Sequence, residues 1–242
     1  FFLTRPPAEV PPPLDFRGVA EEKRNTFSYD TRRQLRRFTR LMQLAQDLIE
    51  ASGVSWPVNV GAPEMGLPID RIAAAEAVRL GAVKRALQER ESPAAGFQRW
   101  CAAIESAGVL VLALKLDPKE MRGASLWLDS GPPGILVNRE DAEAGAGRTF
   151  TLLHEYAHLL RRQPGRVCDF RGAESDGHLE RFANQFAAAA IVPKGELIAL
   201  LNTKGLNGYR TAWSDDILRE LKEPFGASKD TIAIELEEMG LA

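Results

Sequence analysis

The segment 149–160 (TFTLLHEYAHLL) constrains the fold more than any other part of the chain. Most of its residues are apolar, and they surround the polar ones when the segment is drawn as a helix, which indicates a helix buried in the protein interior. That helix carries His154, Glu155 and His158, three side chains that are costly to bury without partners. The pattern therefore predicts a buried helix over about residues 148–162 whose polar side chains share a ligand.

The spacing of these three side chains indicates a metal ion as that ligand. His154 and His158 are four residues apart, so both imidazoles lie on one helix face and can reach one ion. Glu155 is turned about 100° around the helix axis, where it can act as a base. Only three histidines occur in the chain, and two have this spacing. The pattern HExxH predicts a zinc site, although manganese and iron accept the same ligands.

A catalytic zinc site usually has three protein ligands, so a third ligand must come from elsewhere in the chain. The positions three and six residues beyond the second histidine, which hold glycine and histidine in one group of zinc peptidases, hold Arg161 and Pro164 here. The third ligand is therefore expected in the following segment, which offers four candidates: Glu174, Asp176, His178 and Glu180.

Glu180 is the favoured candidate because it begins the segment 180–187 (ERFANQFA). On a helix, two small alanines share the face of Glu180 and allow close approach to the helix that carries the histidines. His178 is the main rival as third ligand. Asn184, one turn after Glu180, is positioned to hydrogen-bond a ligand imidazole, although an asparagine that merely packs between helices is an equal alternative.

The composition excludes several classes of protein. The 242 residues are 45% hydrophobic and 26% charged, which is typical of a globular chain and not of a collagen, a coiled coil or a disordered protein. The net charge of −2 gives no general attraction to nucleic acid, and no apolar run reaches the length of a membrane span. Two cysteines form no disulfide framework, which favours the reducing cytoplasm.

The periodicity of apolar residues predicts an α+β fold in which a small antiparallel or mixed sheet packs on the HExxH helix, with flanking helices. Three regions are expected: a proline-rich arm and helical region (1–107), a catalytic core (108–193) and a small C-terminal helical module (194–242). The predicted helices are 30–53, 69–80, 97–105, 148–162 and 177–190, with two short ones after 215 in which Ser228 is an N-cap. The predicted strands are 109–116, 124–128 and 135–138.

Two charged regions bear on possible partners. Between Lys23 and Arg40 there are seven basic residues and one acidic residue, a local balance of +6 that indicates either a solvated helix face or a site for an acidic partner or DNA. The tail 215–242 has the proportions of a helix-turn-helix, but its eight acidic residues exceed its three basic ones. Such a surface does not neutralise phosphates, so the tail and the net charge together indicate that this chain does not bind DNA directly. The net charge and the lack of a long apolar run indicate that it does not bind membranes.

The sequence resembles the ImmA/IrrE family of zinc metallopeptidases over about residues 123–193. The resemblance rests on the segments 133–138 (PGILVN), 148–160 (RTFTLLHEYAHLL) and 180–187, followed by Val192 and Pro193. One departure is Ala157, where a glycine is commoner. The start of the chain, together with the segment 15–17 (DFR), resembles the stretch that follows an N-terminal helix-turn-helix domain in longer members. That domain is therefore expected to be missing here.

This resemblance implies a minimal gluzincin fold, similar to thermolysin, with His154, His158 and Glu180 as zinc ligands and Glu155 as catalytic base. It also implies cleavage of a helix-turn-helix repressor, which releases transcription of stress or mobile-element genes. Two alternatives remain open: a regulatory sensor that hydrolyses nothing, and the toxin of a toxin–antitoxin pair with an antitoxin-like partner. An exposed edge strand, either 124–128 or 135–138, is expected to align the substrate.

Overall fold

The computed structural model describes residues 27–62, 64, 66–83, 91–128, 131–140, 145–161, 177–206 and 208–242. The elements in this part of the chain, in order, are α1 (Tyr29–Ser52), α2 (Ile69–Arg79), α3 (Pro93–Ser106), β1 (Leu110–Leu114), β2 (Gly123–Leu126), β3 (Gly134–Asn138), α4 (Ala146–Leu160), α5 (Gly177–Ile191), α6 (Lys194–Lys204), α7 (Asp215–Lys222), a 3₁₀ turn (Glu223–Phe225) and α8 (Lys229–Glu238). The predicted α+β class with a small three-stranded sheet is confirmed.

The sheet is mixed and has the order β1-β3-β2. β3 pairs in parallel with β1, where Leu112 lies opposite Leu136, and antiparallel with β2, where Ala124 lies opposite Leu136. All five residues of β3 are buried. The strand predicted at 135–138 is therefore the central strand of the sheet. Because both of its sides are paired, it cannot be the edge strand that aligns the substrate.

Alternation along β3 divides the interior into two layers. Ile135 and Val137 pack into a core with α3, α4 and α5, whereas Leu136 points to the opposite face of the sheet. On that face it meets Phe38 and Met42 of α1. The sheet thus lies between α1 on one side and the HExxH helix α4 on the other.

Helix α1 begins and ends close to the predicted residues because both ends carry capping groups. The Ser28 side chain accepts a hydrogen bond from the Thr31 N–H at the N-terminus. Gly53 ends the helix in the left-handed conformation, with φ of 64°, which costs glycine little. Helix α3 begins at Pro93, four residues before the predicted start, because Ser92 caps it and proline suits its first turn.

The C-terminal helices form a third core, in which Leu197, Leu221 and Ile232 are fully buried. Ser228 caps α8 as predicted, accepting a hydrogen bond from the Thr231 N–H. Helix α8 also packs on α5, which joins this module to the helices around the site. Helix α6 was not predicted from the sequence.

Several sequence predictions fall outside the described residues. They concern the proline-rich arm, the first two of the seven basic residues (Lys23 and Arg24), the candidate ligands Glu174 and Asp176, and one of the two cysteines, Cys168. The division into regions 1–107, 108–193 and 194–242 stays a prediction. None of the described helices is by itself long and apolar enough to cross a bilayer. Helices α5 and α6 reach the required length and composition only when they are counted together, and a bend of 60° separates them.

Candidate metal centre

The side chains of His154, His158 and Glu180 converge on one point between α4 and α5. The Nε2 atoms of the two histidines are 3.1 Å apart. One carboxylate oxygen of Glu180 lies 3.3 Å from Nε2 of His154, and the other lies 3.5 Å from Nε2 of His158. Both histidines are almost fully buried, and the three ligand atoms lie within 4.8 Å of one another.

These separations fit a tetrahedral zinc ion. Zinc–nitrogen and zinc–oxygen bonds of about 2.0–2.2 Å place neighbouring ligand atoms of a tetrahedron about 3.4 Å apart. The two nitrogens are 3.1 Å apart, and each lies 3.3 or 3.5 Å from one or the other oxygen of Glu180, so the observed separations are close to that value. Two imidazole nitrogens and one carboxylate are also a donor set that zinc accepts in catalytic sites, where a fourth position stays open. The residues present therefore fit a divalent metal ion.

Asn184 determines which nitrogen of His154 is available to that ion. Its Oδ1 atom lies 2.9 Å from Nδ1 of His154. An amide oxygen only accepts hydrogen bonds, so Nδ1 must carry the proton and Nε2 must present a lone pair. The structure thus places Asn184 in hydrogen-bonding contact with the imidazole of His154.

Close packing of α4 on α5 brings the carboxylate to the histidines. Ala183 and Ala187 of α5 are fully buried and occupy the same core as Ala157 of α4. Because all three side chains are methyl groups, the helix backbones approach closely enough for Glu180 to reach both imidazoles. His178 lies in the first turn of α5, is exposed, and is not part of the cluster.

Glu155 is fully buried and is held against strand β2. A Cβ atom placed on Gly123 would lie 3.1 Å from Cγ of Glu155 and 2.5 Å from Cγ2 of Thr151. The first residue of β2 must therefore be glycine for α4 to pack at this distance. Sequence reasoning did not identify Gly123, because the predicted strand began one residue later.

Tyr156 takes part in a buried network on the other side of α4. Its hydroxyl donates to a carboxylate oxygen of Glu76 at 3.0 Å and accepts from Arg79 at 2.5 Å. Burial is the main cause that raises the pKa of the Tyr156 hydroxyl above its ordinary value, and the Glu76 carboxylate adds to it. The hydroxyl is thus engaged in joining α2 to α4. Tyr209 is exposed in the C-terminal module.

Glu76 was also missed from the sequence. It lies on the buried face of α2 and is 7% exposed. The apolar run 72–75 (IAAA), which precedes Glu76, indicated that this residue could be buried. Its partner Tyr156 is 80 positions further along the chain, so the contact between them could not be predicted.

A comparison with protein families identifies a matching family. The model of the peptidase M78 family, described as the IrrE N-terminal-like domain, matches residues 104–237, more than half of the chain. The matched segment contains all four residues of the candidate centre: His154, Glu155, His158 and Glu180. A comparison with curated proteins gave no significant match.

Proposed function

This chain belongs to the peptidase M78 family of IrrE N-terminal-like domains, and from that membership we propose that it is a zinc-dependent endopeptidase. The observation that carries the proposal is the convergence of two buried imidazoles and one carboxylate on a single point. A buried glutamate, Glu155, follows the first of these histidines on the same helix. A metal ligand set beside a carboxylate base is an arrangement that supports metal-assisted peptide hydrolysis.

In the proposed mechanism His154, His158 and Glu180 hold the ion. When bound, zinc polarises the scissile carbonyl and activates water near neutral pH. Glu155 takes a proton from the attacking water and delivers it to the leaving amine. Asn184 keeps His154 in the tautomer that a ligand requires.

Strand β2 is the proposed guide for the substrate. It lies at an edge of the described sheet, and a Cβ atom placed on its first residue, Gly123, would lie 3.1 Å from Cγ of Glu155. An extended peptide that adds to this edge would place its backbone beside the base. Residues 135–138, the other strand considered for this role, lie in the sheet centre and have both sides occupied.

The proposed substrate is a helix-turn-helix repressor in the cytoplasm, and its cleavage would release transcription. This part of the proposal rests on the resemblance of the segments 133–138, 148–160 and 180–187 to the ImmA/IrrE family. A gene for a small helix-turn-helix protein beside the gene for this chain would supply the first candidate. An antitoxin-like partner would be found in the same place.

The proposal is tested by replacing the base alone. We expect Glu155→Gln to retain one metal ion per chain and to lose cleavage, because only the proton acceptor changes. His154→Ala is the contrasting variant and should lose both metal and cleavage. Metal content is measured by elemental analysis, and cleavage is measured with the candidate repressor and with a diverse peptide library.

The peptide library separates catalysis from substrate choice. Cleavage of library peptides but not of the repressor retains the peptidase and rejects the repressor as substrate. Undiminished cleavage by Glu155→Gln would refute the catalytic assignment. A metal-loaded wild-type chain that cleaves neither substrate would favour the sensor alternative.

A further inference from the structure

Helix α1 presents a row of arginines to solvent. Its buried side, formed by Leu35, Phe38 and Met42, packs on the sheet. Five exposed residues cover an opposite arc of about 140° and are named here the arginine face: Arg32, Arg33, Arg36, Arg37 and Arg40. The face lies outside the segment that matches the peptidase family.

The five arginines do not stabilise helix α1, so helix stability does not explain their presence on this face. All five arginines lie in the N-terminal half of α1, near the positive end of the helix dipole, and no basic residue lies in the last turn. Three pairs of arginines have the i, i+4 spacing at which like charges repel. Helix α7 shows the stabilising arrangement, since Asp215 and Asp216 lie in its first turn and Arg219 pairs with both.

The side chains of the arginine face form no ion pairs in the part of the chain that the structure describes. Within the described residues, no hydrogen bond or ion pair joins any of the five side chains to an acidic group. Other arginines of the chain are engaged: Arg79 binds Glu76, and Arg99 binds Glu91. The charge of the face is therefore available to an external anion.

From this geometry we propose that the arginine face binds the phosphate backbone of double-stranded DNA without reading its sequence. A step of four residues advances a helix by about 6 Å, close to the 6.8 Å that two base-pair steps span on one strand. The guanidinium group donates two parallel hydrogen bonds to a phosphate. A regular row of such groups matches a regular polyanion better than the irregular carboxylates of an acidic protein.

Single-stranded nucleic acid fits the face less well. Binding of single strands relies on several aromatic side chains that stack on bases. Along the stretch of α1 that carries the arginines, Tyr29 is the exposed aromatic residue, and it stands one turn before them.

The acidic tail does not oppose this proposal. The tail helix α8 packs on α5, whereas α1 covers the sheet face that points away from α4. The two charged surfaces therefore belong to different sides of the sheet. The expectation that this chain does not bind DNA rested on the tail and on the net charge, and neither describes the local field at α1.

Fluorescence anisotropy of the full chain with a labelled duplex of arbitrary sequence tests the proposal. With four or five phosphates contacted, the logarithm of the binding constant should fall with the logarithm of salt concentration at a slope of about −4. Arg33→Ser with Arg37→Ser should weaken binding at least tenfold and reduce the slope by about 1.8. The matched control removes two exposed charges elsewhere, Arg71→Ser with Lys194→Ser, and should bind as wild type.

Several outcomes would overturn the proposal. These are no binding at 50 mM salt, equal weakening in the control variant, or tighter binding of a single strand, an RNA duplex or polyglutamate than of the DNA duplex. Circular dichroism checks that both variants are folded, which is expected because all four substituted side chains are exposed. Peptide cleavage should be unchanged in both variants, so the result does not depend on the proposed activity.

Discussion

Asn184 shows how a single hydrogen bond prepares a metal ligand. Its amide oxygen accepts from Nδ1 of His154, so that Nε2 carries the lone pair and faces His158 and Glu180. We expect Asn184→Ala to weaken metal affinity 10- to 100-fold, because the imidazole loses its fixed tautomer and orientation. Competition with a chelator measures the affinity, and Gln185→Ala, the neighbouring amide on α5, is the control. Equal affinities in both variants would show that Asn184 only packs.

Gly123 sets the distance between β2 and the proposed base. In Gly123→Ala the new methyl group would meet Thr151 and Glu155, so one of them must move. We expect kcat to fall at least tenfold with metal content unchanged, since the base is displaced and the ligands are not. Adding Thr151→Ser removes the closest atom, Cγ2, and should restore part of the activity. A double variant as impaired as the single one would contradict this explanation.

The candidate ligands could be predicted to lie together because their residue types and spacing are local. His154 and His158 share a helix face by periodicity alone, and Glu180 with Asn184 repeats the same four-residue step on the next helix. Gly123 could not be predicted in this way. Its importance arises from the side chains that tertiary packing places against its Cα atom.

At the level of elements, a hydrogen-bonded network joins α2 to the helix that carries the histidines. The carboxylate of Glu76 accepts from both Tyr156 and Arg79. We expect Tyr156→Phe to lower the free energy of unfolding by about 1–2 kcal/mol, because Glu76 loses a buried partner. Denaturant titration measures this, with Glu105→Ala on the exposed side of α3 as the control. Metal binding should be retained, and a loss of metal without a loss of stability would contradict a purely structural role.

Helices with one apolar face were predicted well, and a helix without such a face was missed. Helix α1 has a clear buried stripe of Leu35, Phe38 and Met42, and its predicted ends agree with the structure. The apolar residues of α6 are scattered around the helix, so periodicity gave no signal. The order of the strands was also beyond prediction, because pairing of β1 with β3 joins residues more than twenty positions apart.

For the whole molecule, a buried carboxylate predicts how stability depends on pH. Glu235 on α8 is 4% exposed, and its pKa is raised from 4.5 to about 7. Burial is the largest cause of this rise, Glu238 and Asp70 contribute to it, and Lys194 opposes it. The folded chain therefore keeps a proton that the unfolded chain releases above pH 4.5, so stability falls as pH rises from 4.5 to 7.

We expect Glu235→Gln to be more stable than wild type above pH 7, by up to about 3 kcal/mol, and equally stable near pH 4. Denaturant titrations at several pH values measure the difference. Glu237→Gln, an exposed neighbour on the same helix, serves as the control. A stability difference that does not change with pH would show that Glu235 is not the group responsible.

X-ray absorption spectroscopy of the zinc-loaded chain tests the proposed metal centre most directly. We predict one zinc ion per chain, bound by four nitrogen or oxygen atoms at about 2.0–2.2 Å, with the scattering pattern of two imidazoles. Glu180→Ala should alter the oxygen shell and keep both imidazoles. A shell that contains sulfur, a different number of imidazoles, or no stoichiometric zinc would contradict the account.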